Sequence, residues 1–181
     1  MENNIGIKFI DPRATIDLLE ITAGMSIGDF GCGIGYFAFP LAEKVGQTGQ
    51  VYALDILKDK LESVESEAKV LSFNNIIIKR ANLEVAGGSK LKENSLDWVF
   101  LVNMLFQNKS KEIIVKEAAR VLKTGGKILV IEWGEKDSSF GPARNLRISK
   151  DEISELAINC GLSIIKEMAI SDFHYGVILE K

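Results

Sequence analysis

Two carboxylates and a run of glycines are the residues best equipped for chemistry in this chain. The stretch Asp29-Phe-Gly-Cys-Gly-Ile-Gly35 follows a short apolar run and opens an amphipathic one, and Asp55 ends the next apolar run. Glycines in such a turn let the backbone fold tightly and let a ligand lie against it without a Cβ in the way. The free N–H groups of the helix start offer themselves to a polar or anionic group. An acid placed like Asp55 is positioned to hold the two ribose hydroxyls of an adenosine ligand. A dinucleotide would need the G-x-G-x-x-G spacing. Counted from Gly31 the sixth position is Tyr36, and from Gly33 it is Ala38, which only the looser rule tolerates. Asp29 would repel a pyrophosphate and attract the ammonium and sulfonium of S-adenosylmethionine (SAM). The competing reading is a tight strand-to-helix turn with no ligand.

The elements that must carry these residues alternate short β-branched runs with longer amphipathic stretches, the pattern of βαβ units on a parallel sheet. Strands are expected over 26–30, 51–55, 75–79, 96–103, 127–133, 163–169 and 175–180. Helices are expected over 13–21, 36–45, 58–71, 111–122 and 149–159, the fourth stopped by Gly125-Gly126. Ser149 and Glu152 form a capping box, and Gly161 falls where a left-handed C-cap belongs.

Residues 1–181 suit one α/β domain, with 1–12 as a short N-terminal segment. The net charge of -3 and a pI near 5.4 give no strong nucleic-acid signal, since phosphate binding needs clustered Lys and Arg. Cys32 and Cys160 make no disulfide framework and no zinc-ligand spacing, so no metal is expected. No basic leader precedes an apolar run and no run reaches membrane-spanning length, so a cytoplasmic protein without membrane contact is expected. The open sheet edge near the C-terminal strands offers a surface for a homodimer.

Asp29-Phe-Gly-Cys-Gly-Ile-Gly35 resembles the first motif of class I SAM-dependent methyltransferases, and Val51-Tyr-Ala-Leu-Asp55 the second. Ser95-Leu-Asp97-Trp-Val-Phe-Leu-Val and Glu117-Ala-Ala-Arg120-Val-Leu-Lys-Thr-Gly-Gly126 resemble the later motifs of the ubiquinone/menaquinone-biosynthesis-like branch. The resemblance implies a Rossmann-like three-layer sandwich with a seven-stranded, mostly parallel sheet and an antiparallel last strand. It implies SAM as cofactor, with Asp29, Gly31 and Gly33 along its methionine part and Cys32, Gly35, Tyr36 and Phe37 completing the turn. Asp55 would hold the ribose and Ile56 pack on the adenine. Asn82, followed by Leu83, takes the place of the acid that usually meets the adenine amino group, and an amide oxygen can still accept that bond. Asn103 and Met104 would lie beside the amino-acid end of SAM. The stretch from Glu84 to Asn94, with Gly87-Gly88, reads as a surface loop.

The resemblance names the methyl donor and leaves the acceptor unidentified: a small molecule, with protein or RNA, or a SAM-binding module acting through a partner, as alternatives. Methyl transfer from a sulfonium mainly needs alignment and exclusion of water, so no catalytic constellation is required, and none is assigned. His174, the lone histidine, is a base if it reaches the site and a turn residue otherwise. The loop after Trp133 carries Phe140, Arg144 and Arg147. Its aromatics suit a sulfonium or an apolar acceptor and its arginines an acidic one, or all of them are ordinary core and surface residues. Relatives carry a helical cap at the N-terminus. A short segment there implies an open acceptor site, or one that a partner chain completes.

Overall fold

Residues 7–136 and 140–181 are described by a computed structural model. The strands are β1 (Ser26–Phe30), β2 (Gln50–Asp55), β3 (Ile76–Arg80), β4 (Leu96–Val102), β5 (Leu122–Trp133), β6 (Ser163–Ala169) and β7 (His174–Glu180). The helices are α1 (Pro12–Asp17), α2 (Ala38–Val45), α3 (Lys58–Val70), α4 (Lys111–Val121) and α5 (Lys150–Asn159). The sheet runs β3-β2-β1-β4-β5-β7-β6, with β3 to β5 parallel and β7 antiparallel to both its neighbours. This is the Rossmann-like sandwich that the alternating pattern and the resemblance implied. Among the described residues no helix is long and apolar enough to cross a membrane, and no three His, Cys, Asp or Glu gather as a metal site.

Alternation along each strand builds two cores. Leu129 and Ile131 of β5 join the face covered by α1, α2 and α3, while Ile128 and Val130 join the face covered by α4 and α5. The order of strands places the carboxyl ends of β1 and β4 side by side at the middle of the sheet, the point where ligands of open α/β sheets bind.

Several boundaries differ from the sequence reading. The first helix stops at Asp17, because Leu18 N–H and Leu19 N–H reach back only three residues, to Thr15 O and Ile16 O, and the ladder tightens and ends. The second begins at Ala38, since Gly35 to Phe37 are spent on the turn. The fourth gives way to β5 at Leu122 with no loop between them. Gly125 lies beyond the helix end, with φ +75° and its N–H on Lys181 O. The last strand starts at His174, so that residue belongs to the sheet rather than to a turn.

The stretch from Glu84 to Asn94 is no free surface loop. Ser89 and Leu91 are buried, and a Cβ at Gly88 would fall 1.8 Å from Asn82 O. Glu117 of α4 holds this stretch. Its carboxylate accepts from Gly87 N (3.1 Å), Ser89 N (3.1 Å), Ser89 Oγ and the Arg120 guanidinium (2.8 Å). Burial alone would raise the Glu117 carboxyl, but the bonds from Arg120 and Ser89 outweigh it and hold it at about 2.

An unfolded glutamate titrates near pH 4.3. The stability from ionised Glu117 is therefore complete above that value and is lost as pH falls through about 2. We expect Glu117→Gln to lower the unfolding free energy at pH 7 by about 3 kcal/mol, because Arg120 loses its counter-charge. Denaturant titrations should also show a flatter loss of stability between roughly pH 5 and 2 than in the unaltered protein. An unchanged acid limb would mean that Glu117 does not set it.

Candidate cofactor and acceptor site

The glycine turn is fastened before it is shaped. Gly31 N and Cys32 N both donate to Leu54 O, at 2.7 and 2.9 Å, so the exit of β1 is tied to the end of β2. Gly31 has φ +75°, and a Cβ there would press on Met104 at 3.2 Å. Gly33 has φ +54° with open space where its Cβ would stand, and its N–H donates to Asp55 Oδ2 at 3.0 Å. The other Asp55 oxygen accepts from Leu57 N at 2.9 Å. One carboxylate thus holds the turn on one side and the start of α3 on the other. Each oxygen keeps a lone pair for a further donor.

Asp29 sits behind the turn, buried, with Oδ2 bonded to nothing. Burial first, and the Asp55 charge second, push its carboxyl up to about 7, against a bond from Ala38 N–H that lowers it. The Cys32 thiol is buried as well, and burial with the two nearby carboxylates drives it far above its usual range.

A cavity of about 270 Å3 opens in front of this turn. It brings together six of the residues singled out from the sequence: Gly31, Asp55, Ile56, Asn82, Leu83 and Met104. Asn82 lines it, with Oδ1 accepting from Glu84 N at 3.0 Å. Gly35 has φ +90° and closes the turn onto Cys32 O. Phe37 stands apart: it is buried in the core against Phe100, with ring centroids 5.7 Å apart, and does not face the cavity. Tyr36 is exposed and donates its hydroxyl to Ile10 O at 2.7 Å.

Asn103 ends β4 in the left-handed region, at φ +50°, which asparagine adopts more readily than most residues. Its N–H donates to Ile131 O (2.8 Å) and its carbonyl accepts from Gln107 Nε2 (3.1 Å). Its Nδ2 lies 3.4 Å from His174 Nε2, and its Oδ1 is buried without a partner. With the amide as donor, His174 Nε2 accepts and the ring proton sits on Nδ1, 2.9 Å from Ser171 Oγ. Burial, and then the charge of Arg147, lower His174 to about 4, so the ring is neutral at pH 7. The Trp133 ring lies against it, centroids 4.1 Å apart.

Two features escaped the sequence reading. Glu132 is a fully buried acid whose Oε1 accepts from Leu105 N at 2.6 Å, fixing the 3-10 turn Leu105–Gln107 beside Met104. Its signal was an acid inside the apolar run Ile128-Leu-Val-Ile-Glu132. The other is a strap. Lys8 and Asp172 exchange backbone and carboxylate bonds (3.0 and 3.1 Å), Phe9 packs on Phe140 and Phe173, and Ile10 is tied to Tyr36. The described part of the N-terminal segment therefore spans the carboxyl edge from the β6–β7 turn to the glycine turn. The edge is less open than the sequence reading expected. Residues 1–6 lie outside the described residues.

The methyltransferase-domain family matches residues 21–168. The demethylmenaquinone methyltransferase of Oceanobacillus iheyensis is 32% identical over 123 residues, 68% of this chain and 50% of that protein. The ubiquinone/menaquinone biosynthesis C-methyltransferase of Haemophilus ducreyi is 32% identical over 133 residues, 73% of this chain and 50% of that one. The chain spans about half the length of these curated relatives. Among solved structures, a SAM-dependent methyltransferase from Aquifex aeolicus superposes with a TM-score of 0.86. It covers 94% of this chain and 89% of its own, at 20% identity, a likeness of fold.

The residues present fit SAM. A buried carboxylate with one oxygen unbonded lies beneath a turn with open space above Gly33, and a second acid stands ready for hydroxyl donors. A cation bound there favours the ionised form of Asp29 and draws its pKa below about 7. SAM affinity should therefore fall as pH drops below roughly 7, and binding near neutrality should release protons. Calorimetry in buffers of different ionisation enthalpy checks this. Binding without proton release, equally tight at pH 5.5 and 8, would remove Asp29 from the site.

Proposed function

The chain belongs to the methyltransferase-domain family, and on that premise we propose that it transfers a methyl group from SAM to a small-molecule acceptor at the carboxyl edge of the sheet. The observation that carries the reading is the half-bonded, buried carboxylate of Asp29 under an open glycine turn. A pyrophosphate could not settle above it, whereas a sulfonium and an ammonium relieve the charge it shares with Asp55. The Aquifex aeolicus fold neighbour, named as SAM-dependent, supports the same donor. The relatives named for demethylmenaquinone and for quinone biosynthesis support a small acceptor over a protein or nucleic acid.

SAM supplies a methyl carbon made electrophilic by the positive sulfur that bears it. The chain's part is to hold and align. Asp55 accepts from the ribose hydroxyls with the lone pairs left by Gly33 N and Leu57 N. Ile56 and Leu83 give the apolar walls an adenine needs, and Asn82 stands at their rim. Cys32 and Gly35 contribute backbone to the turn. Met104 fills the space in front of Gly31, and Asn103 beside it, its Oδ1 buried without a partner, would stand near the amino-acid end of SAM. Trp133 and Phe173 give the acceptor side apolar surface, which suits a displacement that depends more on alignment and exclusion of water than on acid–base help.

Replacing Asp55 with Ala should weaken SAM binding by about 1.5–3 kcal/mol, the range for hydrogen bonds to a charged group. The turn should remain closed through the bonds of Gly31 and Cys32 to Leu54 O. Titration calorimetry with SAM measures the loss, and S-adenosylhomocysteine formation in the presence of small phenols and quinols tests turnover. Absence of SAM binding, or tighter binding of a nicotinamide dinucleotide, would overturn the reading.

A further inference from the structure

A second and larger cavity, of about 670 Å3, lies at the same edge beyond Asn103, over the end of β5 and the start of β7. Trp133, Phe173, His174 and Tyr175 form its aromatic wall, and Lys136 and Arg147 its cationic one. The volume is that of a small-ligand site. The two cations stand over aromatic rings of the opposite wall. Arg147 is 6.0 Å from the Trp133 ring, and Lys136 Nζ is 5.3 Å from the Phe173 ring.

Among the described residues neither Arg147 nor Lys136 forms an ion pair. Arg147 is bonded to three backbone carbonyls, those of Gly134 (2.5 Å), Lys136 (2.9 Å) and Pro142 (3.0 Å). Glu135, Asp151 and Asp172 also line the cavity; Glu135 lies 3.8 Å from Arg144, and Asp172 accepts from Lys8 N at 3.0 Å. The charge of Arg147 is felt inside the cavity, since it adds to burial in keeping His174 unprotonated. A half-buried Arg147 and an exposed Lys136, neither ion-paired among the described residues and both facing aromatic rings, suit an anion that carries a ring.

We propose that this cavity binds an aromatic acid, its carboxylate set against Arg147 and Lys136 and its ring against the aromatic wall. The cavity lies beside Asn103, whose amide reaches His174 in the cavity wall. Its occupant would thus present a ring position to the methyl group. That the occupant is the methyl acceptor rests on the methyltransferase reading; that the cavity takes an aromatic acid does not.

The test is calorimetric titration of the protein, loaded with S-adenosylhomocysteine, with 1-hydroxy-2-naphthoate and with 1-naphthol. The naphthoate should bind roughly tenfold more tightly than the naphthol, the factor expected of one charge-assisted contact. The preference should shrink as salt is raised. It should be lost in Lys136→Met, an exposed position whose change leaves the carbonyl bonds of Arg147 in place. In NMR spectra the indole N–H signal of Trp133 should move on binding while that of Trp98 stays. Equal affinity for the two probes, or a preference that survives both Lys136→Met and Arg147→Met, overturns the acid. No binding of either probe, or binding that leaves Trp133 undisturbed, overturns the cavity. In each of those cases SAM binding and its loss in Asp55→Ala stand or fall separately.

Discussion

Two backbone N–H groups meet on the carboxylate of Asp55, and the carboxyl edge of the sheet is organised around that meeting. Gly33 N comes from the turn after β1 and Leu57 N from the approach to α3. With Gly31 and Cys32 both tied to Leu54 O, the turn cannot shift without tearing bonds to β2. The cost of this arrangement is electrostatic. Asp29 and Asp55 share one small region, and Asp29 has no cation of its own and one oxygen unbonded. A protein that keeps such a pair at this turn holds a standing preference for positive ligands.

A second constraint works from the other side. Glu132, buried among apolar neighbours, accepts from the start of the 3-10 turn and sets Met104 against Gly31. Asn103, just before it, is held at its N–H, its carbonyl and its amide nitrogen. These bonds use almost every polar atom of β4's end and leave a single oxygen over. His174 serves this frame as a neutral partner, locked between Asn103, Ser171 and Trp133.

The glycine turn and Asp55 were legible because their chemistry is local: a strand, a turn and an acid whose types and spacing admit few uses. The sheet was legible because burial on both faces writes continuous apolar runs such as Trp98 to Leu101. Motif residues read as family marks proved to be scaffold. Asp97 accepts from Ser26 N at 2.8 Å and pairs with Lys123 at 2.7 Å, joining the starts of β1 and β4, while Glu117 and Arg120 clamp the stretch around Ser89. What stayed hidden depends on contacts between distant parts of the chain. His174 and Asn103 are 71 positions apart, and Lys8 and Asp172 are 164 apart. No spacing rule reaches so far. Phe37, which the resemblance places in the turn, packs in the core against Phe100. A turn residue beside a ligand site can point into the core as readily as out of it, and only the direction of α2 decides.

The strap from Lys8 to Ile10 has a consequence for the order of events in turnover. Fastened at Asp172 on one side and Tyr36 on the other, it divides a single open edge into two mouths. One leads past Ile56 and Asn82 to the glycine turn, the other past Lys136 to the aromatic wall. Ligands that use separate doors do not queue for each other. Under the proposed methyl transfer, an edge so divided would admit donor and acceptor in either order and would let the spent donor leave while the methylated product is still in place.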